Sequence, residues 1–486
     1  MRELCSTALD AARSAGAWYA DVRIVRHRRE NVTAREDRVQ GVERSESFGF
    51  GVRCLLDGEW GFAASRRVEP GELARVAKVA VEMARANRAA VSRRVGWAPE
   101  PPHKDAWQTT MTKDPLKVPM GRKVSLLLAA NKEALKVRGA SFVTSFVSLV
   151  AEEMYFASTE GMLIDQQVTR VWPSLTVTAR DASGSDFSTR GADLAPAQAG
   201  WEYVEEADLP ALAAEAAEEA VMKLGAAPPP TGKKDLVIDP TNLWLAIHET
   251  VGHPTELDRA LGYEANFAGD SFATPEKIGS LRYGSPLVSF TADRTMPGGL
   301  ATVAYDDDGV KARTWPLVRS GLFVDYQTTR DLAGRIGQDA SKGCSRADGW
   351  GSFPFQRMPN ISLEPSEEPL TTEDLIAGVE DGIYLAGGGS WSIDPQRYNF
   401  QFGAGSARLI KGGRLGPPVR DVAYQSNSID FWNACDGIGG EGTFWVGGTF
   451  FDAKGEPVQM NAVSHGCPAA RFRGVDVLGT GGRGTG

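Results

Sequence analysis

The sequence has few cysteines and no long apolar run. Five cysteines in 486 residues are odd in number and widely spaced, which is not the pattern of a disulfide-stabilised domain and fits a reducing compartment. No stretch of about 18 apolar residues occurs, so no ordinary transmembrane helix is expected. The segment Met1–Ala20 includes Glu3, Asp10 and Arg13 and does not have the uninterrupted apolar core of a signal peptide. These absences predict a cytoplasmic protein.

Excess positive charge is absent as well. The chain has 53 Lys and Arg against 62 Asp and Glu, a net charge of −9, and no basic tract, which argues against a general nucleic-acid-binding protein. Hydrophobic residues make up 42% and charged residues 24%, as in ordinary soluble globular proteins. Glycine, at 54 residues, is most frequent in the last third and predicts turns and β-structure there.

We predict an α+β fold in two units. Residues 1–225 are expected to form an N-terminal α/β domain with helices packed on a mostly antiparallel sheet, because helical periodicity alternates with β-branched runs and Asp57-Gly58 predicts a hairpin. Residues 226–233 contain three consecutive prolines and are predicted to be a linker. Residues 234–486 are expected to form a β-rich C-terminal domain with one helix after Asp239-Pro240, a typical helix start.

Histidine is scarce, and two of the five histidines lie in His248-Glu249-Thr250-Val251-Gly252-His253, at the predicted end of that helix. Two imidazoles with a carboxylate beside the first are the groups of a hydrolytic zinc site. In this interpretation His248 and His253 bind the metal and Glu249 is the general base. The alternative interpretation is a polar helix end with no metal.

The spacing of the two histidines requires a distorted helix. Residues five apart are offset by about 140° on a regular α-helix, whereas the four-residue spacing of common zinc peptidases gives about 40°. Gly252 loosens the backbone, and Pro254 disfavours α-helical geometry at His253. We therefore expect a terminating turn or a π-bulge between the two histidines.

A catalytic zinc ion needs a third protein ligand. His27 lies among arginines and His103 in a proline-rich loop, so both fit solvated surface positions better. Cys435 lies just before a Gly-rich turn and His465 in a predicted tight turn, both late in the chain. Both are chemically suitable, with Cys344 a weaker candidate. The chemistry of the residues alone leaves the choice between Cys435 and His465 open.

Segments along most of the chain resemble the TldD/PmbA family of metalloproteases. The motif His248–His253, followed by Glu256 and Asp258, is similar to the HExxxH signature of that family. The other similar segments are Gly49–Arg53, Gly61–Ala63, Asp306–Gly309, Val318–Tyr326, Arg357–Ile361, Glu380–Tyr384 and Leu385–Gly389. Because the motif is intact, the chain resembles the TldD-type subunit, whereas the PmbA-type (TldE) partner lacks the motif.

The resemblance implies Zn²⁺ with a cysteine as its third ligand, in a Gly-rich C-terminal segment. Cys435 fits that place best, and Cys467 and His465 remain the alternatives. The sequence around Cys435 departs from the family's Ser-Cys-Gly-Lys segment. We interpret Thr443–Asn461 as an insertion before the final strand.

The resemblance also implies a homodimer, or a heterodimer with a PmbA-type (TldE) homologue, in which C-terminal domains enclose the active site. The expected function is a zinc-dependent peptidase that hydrolyses unfolded or short peptides, without nucleic-acid or membrane partners. One alternative is a dedicated biosynthetic amidohydrolase acting on a peptidyl metabolite. The other is a non-catalytic partner subunit, against which the intact His-Glu-His set argues.

Overall fold

The computed structural model describes residues 1–88 and 94–481 and has the predicted α+β fold. The N-terminal half is a twisted sheet with helices on one face. Its strands are β1 Tyr19–Arg35, β2 Arg38–Leu56, β3 Glu59–Ser65, β4 Lys104–Gln108, β5 Ala140–Ser158, β6 Leu163–Arg180 and β7 Phe187–Gly191. Its helices are α1 Arg2–Ser14, α2 Pro70–Asn87, α3 Met120–Lys136, α4 Trp201–Glu206 and α5 Leu209–Leu224, with a 3-10 turn at Pro115–Lys117.

The N-terminal sheet is mostly antiparallel, as predicted. The strands follow the order β3-β2-β1-β5-β6-β4, with β7 on β6, and β4 is parallel to β6. The predicted hairpin is present, with Asp57 and Gly58 at φ 53° and 87° between β2 and β3. Alternation along β1 directs Val22 and Val32 towards the helices and Val25 towards the C-terminal half.

The C-terminal half is built around a sheet that closes on itself. The order is β15-β8-β22-β18-β16-β17, β15 also pairs with β16, and β19 pairs with β22. The strands of this half are β8 Gly232–Ile238, β9 Phe290–Asp293, β10 Thr314–Arg319, β11 Leu322–Phe323, β12 Ser345–Arg346, β13 Phe355–Gln356, β14 Asn360–Leu363, β15 Asp381–Ile393, β16 Asn399–Lys411, β17 Arg414–Pro418, β18 Val422–Asn427, β19 Cys435–Ile438, β20 Trp445–Lys454, β21 Gln459–Cys467 and β22 Ala470–Gly479.

Smaller sheets flank the closed sheet. The antiparallel strands β11, β10, β9 and β14 form one, β12 and β13 another, and β20 and β21 form a hairpin. The helices are α6 Pro240–Ile247, α7 Leu257–Ala260, α8 Thr372–Ala377 and α9 Ser428–Asn433, with short turns at His248–Gly252, His253–Thr255, Pro275–Lys277, Ala333–Ile336 and Glu441–Thr443. Among the described residues, no helix has both the length and the apolar character that a bilayer crossing requires.

Helix α6 lies in the core of the C-terminal half. Leu243, Ala246 and Ile247 are fully buried in its main apolar cluster. The Asn242 amide donates to the carbonyls of Gly387 and Gly403, at 2.8 and 2.9 Å, which ties the helix to β15 and β16. The start of α6 is therefore tied to the closed sheet by Asn242, and its end, where the His248 motif begins, is packed into the core by Ala246 and Ile247.

Buried ion pairs join the two halves. Arg23 of β1 contacts Asp307 at 3.0 Å, and Arg53 of β2 contacts Asp308 at 2.8 Å. All four side chains are at most 3% exposed, so the pairs act in a medium of low dielectric constant. The Asp306–Gly309 segment, noted for its family resemblance, therefore fastens the N-terminal sheet to the C-terminal half.

Replacing Asp307 by alanine is expected to destabilise the protein by about 3–5 kcal/mol, because it removes the carboxylate paired with the buried guanidinium of Arg23. The measurement is the free energy of unfolding in urea, together with the thermal midpoint. Asp37→Ala is the matched control, since Asp37 is 86% exposed in its contact with Arg38 and exposed pairs contribute little. Equal losses in the two variants would contradict the structural role of Asp307.

Candidate metal centre

A π-helical turn brings His248 and His253 together. Helix α6 starts at the Asp239 cap, whose carboxylate accepts the Thr241 amide at 3.0 Å, and ends at Ile247. His248–Gly252 is a π-helix, in which the His253 N–H donates to the His248 carbonyl. The two imidazole centroids lie 4.6 Å apart, so the expected π-bulge is present and puts residues five apart on one face. The expected effect of Pro254 is absent, because His253 has φ −63° and ψ −43° and remains α-helical.

Neighbouring groups stabilise this turn. The π geometry changes the hydrogen-bond partners of the backbone, and Gln327 Nε2 donates to the Gly252 carbonyl at 2.6 Å. The Thr250 hydroxyl donates to the Ala246 carbonyl and accepts from Trp432 Nε1 at 2.8 Å. A Cβ on Gly252 would lie 2.4 Å from Met358 Sδ, so the turn packs too closely for a larger residue unless Met358 moves.

Asp452 of β20 completes a group of three donors. His248 Nε2 and His253 Nε2 lie 3.8 and 3.7 Å from Asp452 Oδ1. Ligand atoms at about 2.0–2.2 Å from a tetrahedral ion lie roughly 3.3–3.6 Å apart, so the two distances to Asp452 are only slightly longer than those of a metal site. The three donor atoms all lie within 4.8 Å of one another. All three residues are buried, at 4–6% exposure. A His-His-Asp cluster of this kind can bind a metal.

Hydrogen bonds behind the imidazoles orient both Nε2 atoms towards the cluster. His465 Nδ1 faces the Ile361 carbonyl at 3.1 Å, and its Nε2 lies 2.9 Å from His248 Nδ1. A carbonyl only accepts, so His465 carries its proton on Nδ1 and accepts from His248 Nδ1–H. His253 Nδ1 donates in the same way to Glu256 Oε2 at 2.9 Å. Both ligand Nε2 atoms are therefore unprotonated, as metal binding requires.

Burial keeps both imidazoles neutral. It lowers the pKa of His248 to about 3 and that of His253 well below its usual value, and the positive charge of Arg397 adds to both shifts. Burial also raises the pKa of the Asp452 carboxyl, while Arg357, 3.1 Å away, opposes that shift. The site therefore offers two neutral imidazoles and one carboxylate that is compensated from behind.

Glu249 lies next to the three donors and is paired with Arg397. Burial raises the pKa of Glu249 to about 7, with Arg397 opposing the shift and Asp452 adding to it. Arg397, at φ 61° in the turn between β15 and β16, donates through Nη1 to Glu249 Oε2. The turn is held by Asp394, whose carboxylate accepts the Tyr398 and Asn399 amides at 2.8 and 3.0 Å.

Lys454 connects the hairpin that carries Asp452 to the motif that carries His253. Its fully buried ammonium lies 2.9 Å from Glu256 and 2.8 Å from Asp258. Glu256 in turn accepts a hydrogen bond from His253 Nδ1. One lysine thus fixes both the strand of the third donor and the carboxylate that orients the second histidine.

The structure brings together some of the residues suggested by the sequence and not others. Cys435, in β19, has its Sγ 3.8 Å from the Gly437 carbonyl and is not part of the His-His-Asp group. Cys467 Sγ faces the Pro240 carbonyl at 3.8 Å. His465 lies behind His248 as its hydrogen-bond partner. Ligand roles for His248, His253 and Cys435 and the base role of Glu249 remain predictions, of which Cys435 has the least support from the geometry.

Sequence reasoning missed Asp452. We interpreted Thr443–Asn461 as an insertion, whereas it forms most of the β20–β21 hairpin that supplies the third donor. A signal was available, because the lysine of Asp452-Ala453-Lys454 comes two residues after the candidate donor, and the lysine of the Ser-Cys-Gly-Lys segment in the resembling family comes two residues after its cysteine. Aspartate in place of cysteine concealed the match.

Comparisons with known proteins identify the family. Models of the PmbA/TldA metallopeptidases match domain 1 over residues 20–84, the central domain over residues 113–224 and the C-terminal domain over residues 231–479. The chain therefore belongs to the PmbA/TldD metallopeptidase family and is a metalloprotease.

Its relatives agree in length and fold. A metalloprotease of Methanothermobacter thermautotrophicus is 31% identical over 95% of this chain and 96% of its own. A Saccharolobus solfataricus protein named zinc metalloprotease TldD homolog is 23% identical over 96% of this chain and 98% of its own. The crystal structure of TldE from Thermococcus kodakarensis has the same fold, with a TM-score of 0.72 and 16% identity over 98% of this chain and 99% of that one.

Asp452→Asn is expected to lower metal affinity by more than about 100-fold, because it removes the anionic donor itself. Replacing a residue that only hydrogen-bonds to a ligand usually costs roughly 10–100-fold. Asp452→Cys, which keeps an ionisable donor, should retain most of the bound metal. Metal content after dialysis against a graded chelator measures both. Cys435→Ser is the matched comparison, and loss of metal in Cys435→Ser but not in Asp452→Asn would reverse the assignment.

Lys454→Met is expected to weaken metal binding by about 10–100-fold, because Glu256 and the β20 strand lose their common anchor. Metal titration monitored by calorimetry checks this, with folding verified by circular dichroism. Lys411→Met, at an exposed ion pair with Asp381, is the control and should bind metal normally.

Proposed function

We propose that this protein is a zinc-dependent peptidase that hydrolyses unfolded or short peptides. The observation that carries the proposal is a buried His-His-Asp group next to a carboxyl, Glu249, whose pKa is raised to about 7. Two imidazoles and a carboxylate are the ligands of a common class of hydrolytic zinc site. A bound zinc ion would supply Lewis acidity towards water and the substrate carbonyl.

Glu249 is the proposed proton carrier. A base works best when its pKa lies near the working pH, and burial moves the Glu249 carboxyl into that range. It would accept a proton from the attacking water and deliver it to the amine that leaves. Arg397 lies against Glu249 Oε2 and would hold the carboxylate in position before the proton moves.

The same ligand types also suit non-haem iron. Zinc is favoured here because Glu249 adds a general base, which hydrolysis uses, and because a relative over nearly the whole chain is named a zinc metalloprotease. Metal analysis of the purified protein by mass spectrometry distinguishes zinc from iron.

Burial of the site supports an extended, unfolded substrate. Glu249 is 3% exposed and the three donor residues are at most 6% exposed, so a folded protein surface cannot reach them. Strand β15 pairs with β8 only over Gly382–Leu385, while Gly388–Ser392 is exposed and, in the part of the chain described, borders β16 alone. A peptide could add to this free edge by backbone hydrogen bonds, and the edge leads to the turn that carries Arg397.

We also propose that the protein acts as a dimer in the cytoplasm, either with itself or with a PmbA-type (TldE) homologue. The shared fold with TldE supports an assembly of related subunits. The five free, buried cysteines are consistent with a reducing compartment. Light scattering of the protein alone and mixed with a TldE-type homologue separates the two assemblies.

Glu249→Gln is expected to keep its zinc and to lower kcat by about 10²–10⁴-fold, the usual contribution of general acid–base catalysis. Hydrolysis of unfolded casein and of a peptide-length series measures the loss. Glu441→Gln, in an exposed turn, is the control. Wild-type rates in Glu249→Gln would refute the mechanism, and cleavage of a single peptidyl metabolite but no generic peptide would favour the dedicated amidohydrolase.

A further inference from the structure

A cavity of about 160 Å³ lies between the N-terminal sheet and the β20–β21 hairpin. Its floor is the sheet face opposite the helices, with His27 and Arg29 on β1 and Glu152 on β5. Arg346 and the hairpin residue Phe450 form walls. Sites for drug-sized ligands have about 300–1,000 Å³, so this cavity suits a group no larger than one amino-acid residue.

Positive groups outnumber negative groups around the cavity. Glu152 Oε2 is contacted by Arg346 Nη2, by His27 Nε2 at 3.2 Å and by Arg170 Nη1 at 3.6 Å. Burial tends to raise the pKa of the Glu152 carboxyl, but Arg346 and His27 hold it well below its usual value. The formally charged lining residues are Arg29, Arg170, Arg346, Glu152 and Asp348.

Two of the guanidinium groups can still bind an anion. Burial lowers the pKa of Arg170 to about 10, with Glu152 opposing the shift and Arg346 adding to it, so its charge is incompletely compensated. Arg29 is exposed, and none of the described carboxylates lies within ion-pair distance of it. A ligand carboxylate that enters the cavity beside Glu152 would therefore be stabilised by these positive charges.

The hairpin side of the cavity is apolar. Phe450, Phe451 and Met460 line it, and Phe451 is 64% and Met460 44% exposed. Trp172 packs against both phenylalanines, with ring centroids 5.3 and 5.6 Å apart. An exposed aromatic edge beside cationic groups fits a ligand with an apolar side chain next to a carboxylate.

The cavity lies beside the candidate metal centre. Asn461, which lines it, is the cross-strand partner of Asp452, and such partners have Cβ atoms about 4.5–5.5 Å apart. An extended peptide advances about 3.3 Å per residue. The separation between Asp452 and the Asn461 lining of the cavity therefore corresponds to one or two residues of an extended chain.

We infer that this cavity is a subsite that binds a carboxylate of the peptide substrate, through Arg170 and Arg29, with the adjoining apolar side chain against Phe450 and Phe451. The inference rests on the proposed peptidase function for the identity of the ligand. The carboxylate is either the C-terminus of the peptide or the side chain of an acidic residue, since both present the same group.

Direct binding tests the subsite without turnover. The zinc-loaded Glu249→Gln protein is titrated with three N-terminally labelled heptapeptides of one unstructured sequence, followed by fluorescence anisotropy. The first ends in leucine with a free carboxylate, the second is its C-terminal amide, and the third is an amide that ends in glutamate. The free acid is expected to bind about tenfold or more tightly than the leucine amide, as for a hydrogen-bonded charged group.

Variants identify the residues responsible. Arg170→Met in the Glu249→Gln background should remove the preference for the acid, and Arg170→Lys should restore part of it. Arg29→Gln should reduce the preference for the acid severalfold. Because Arg29 is exposed, this variant is expected to fold and can be measured even if Arg170→Met does not fold. Arg28→Gln is the matched control, because Arg28 is the next residue on β1, pairs with Glu153 and points to the other face; it should leave the preference unchanged.

The outcomes separate this inference from the proposed function. Tight binding of the glutamate amide identifies an acidic side chain as the ligand, and binding of the free acid alone identifies the C-terminus. Equal affinity for all three peptides would overturn the subsite even if the wild type hydrolyses them. A preference for the acid without wild-type hydrolysis of any peptide would support the subsite and count against the peptidase.

Discussion

The hydrogen bond from the His253 amide to the His248 carbonyl is the interaction on which the candidate metal centre depends. It adds one residue to a helical turn and so places two imidazoles, five positions apart, with centroids 4.6 Å from each other. A regular helix would separate them by about 140°. Gln327 and Trp432 hydrogen-bond to the turn, so the surrounding fold stabilises a geometry that is rare in isolation.

Burial then fixes the protonation state of the two imidazoles. An uncompensated charge in this interior would be costly, and the imidazoles avoid that cost by staying neutral. His465 accepts a hydrogen bond from His248 Nδ1, and Glu256 accepts one from His253 Nδ1. The Nε2 atom of each of these two imidazoles is thereby directed at Asp452. The direction of the donor atoms therefore follows from hydrogen bonds outside the ligand set.

The parts of the centre that could be predicted from the sequence are local ones. The helix start at Asp239-Pro240 and the five-residue spacing that requires a π-bulge are local features, and the α+β class follows from periodicity. The expected effect of Pro254 was wrong, because His253 keeps α-helical dihedral angles. Gly252 is also α-helical, and its small size matters for the contact with Met358. Asp452 lies 199 positions after His253, and only the packing of the β20–β21 hairpin on α6 brings the two together. Cys435 looked equally suitable because proximity across that distance depends on strand order, which composition and spacing do not specify.

Charge balance links the centre to the neighbouring cavity. Among the described groups around the ligands, Arg259, Arg357, Arg397 and Lys454 face the same number of carboxylates, Glu249, Glu256, Asp258 and Asp452. A divalent ion adds positive charge to this balanced set, and the cavity behind Asn461 is itself rich in guanidinium groups. In the proposed reaction, the region as a whole would therefore favour negative charge on the substrate, both at the carbonyl oxygen under attack and at a carboxylate in the cavity. A peptide that places no carboxylate in the cavity would benefit from only the first of these two interactions.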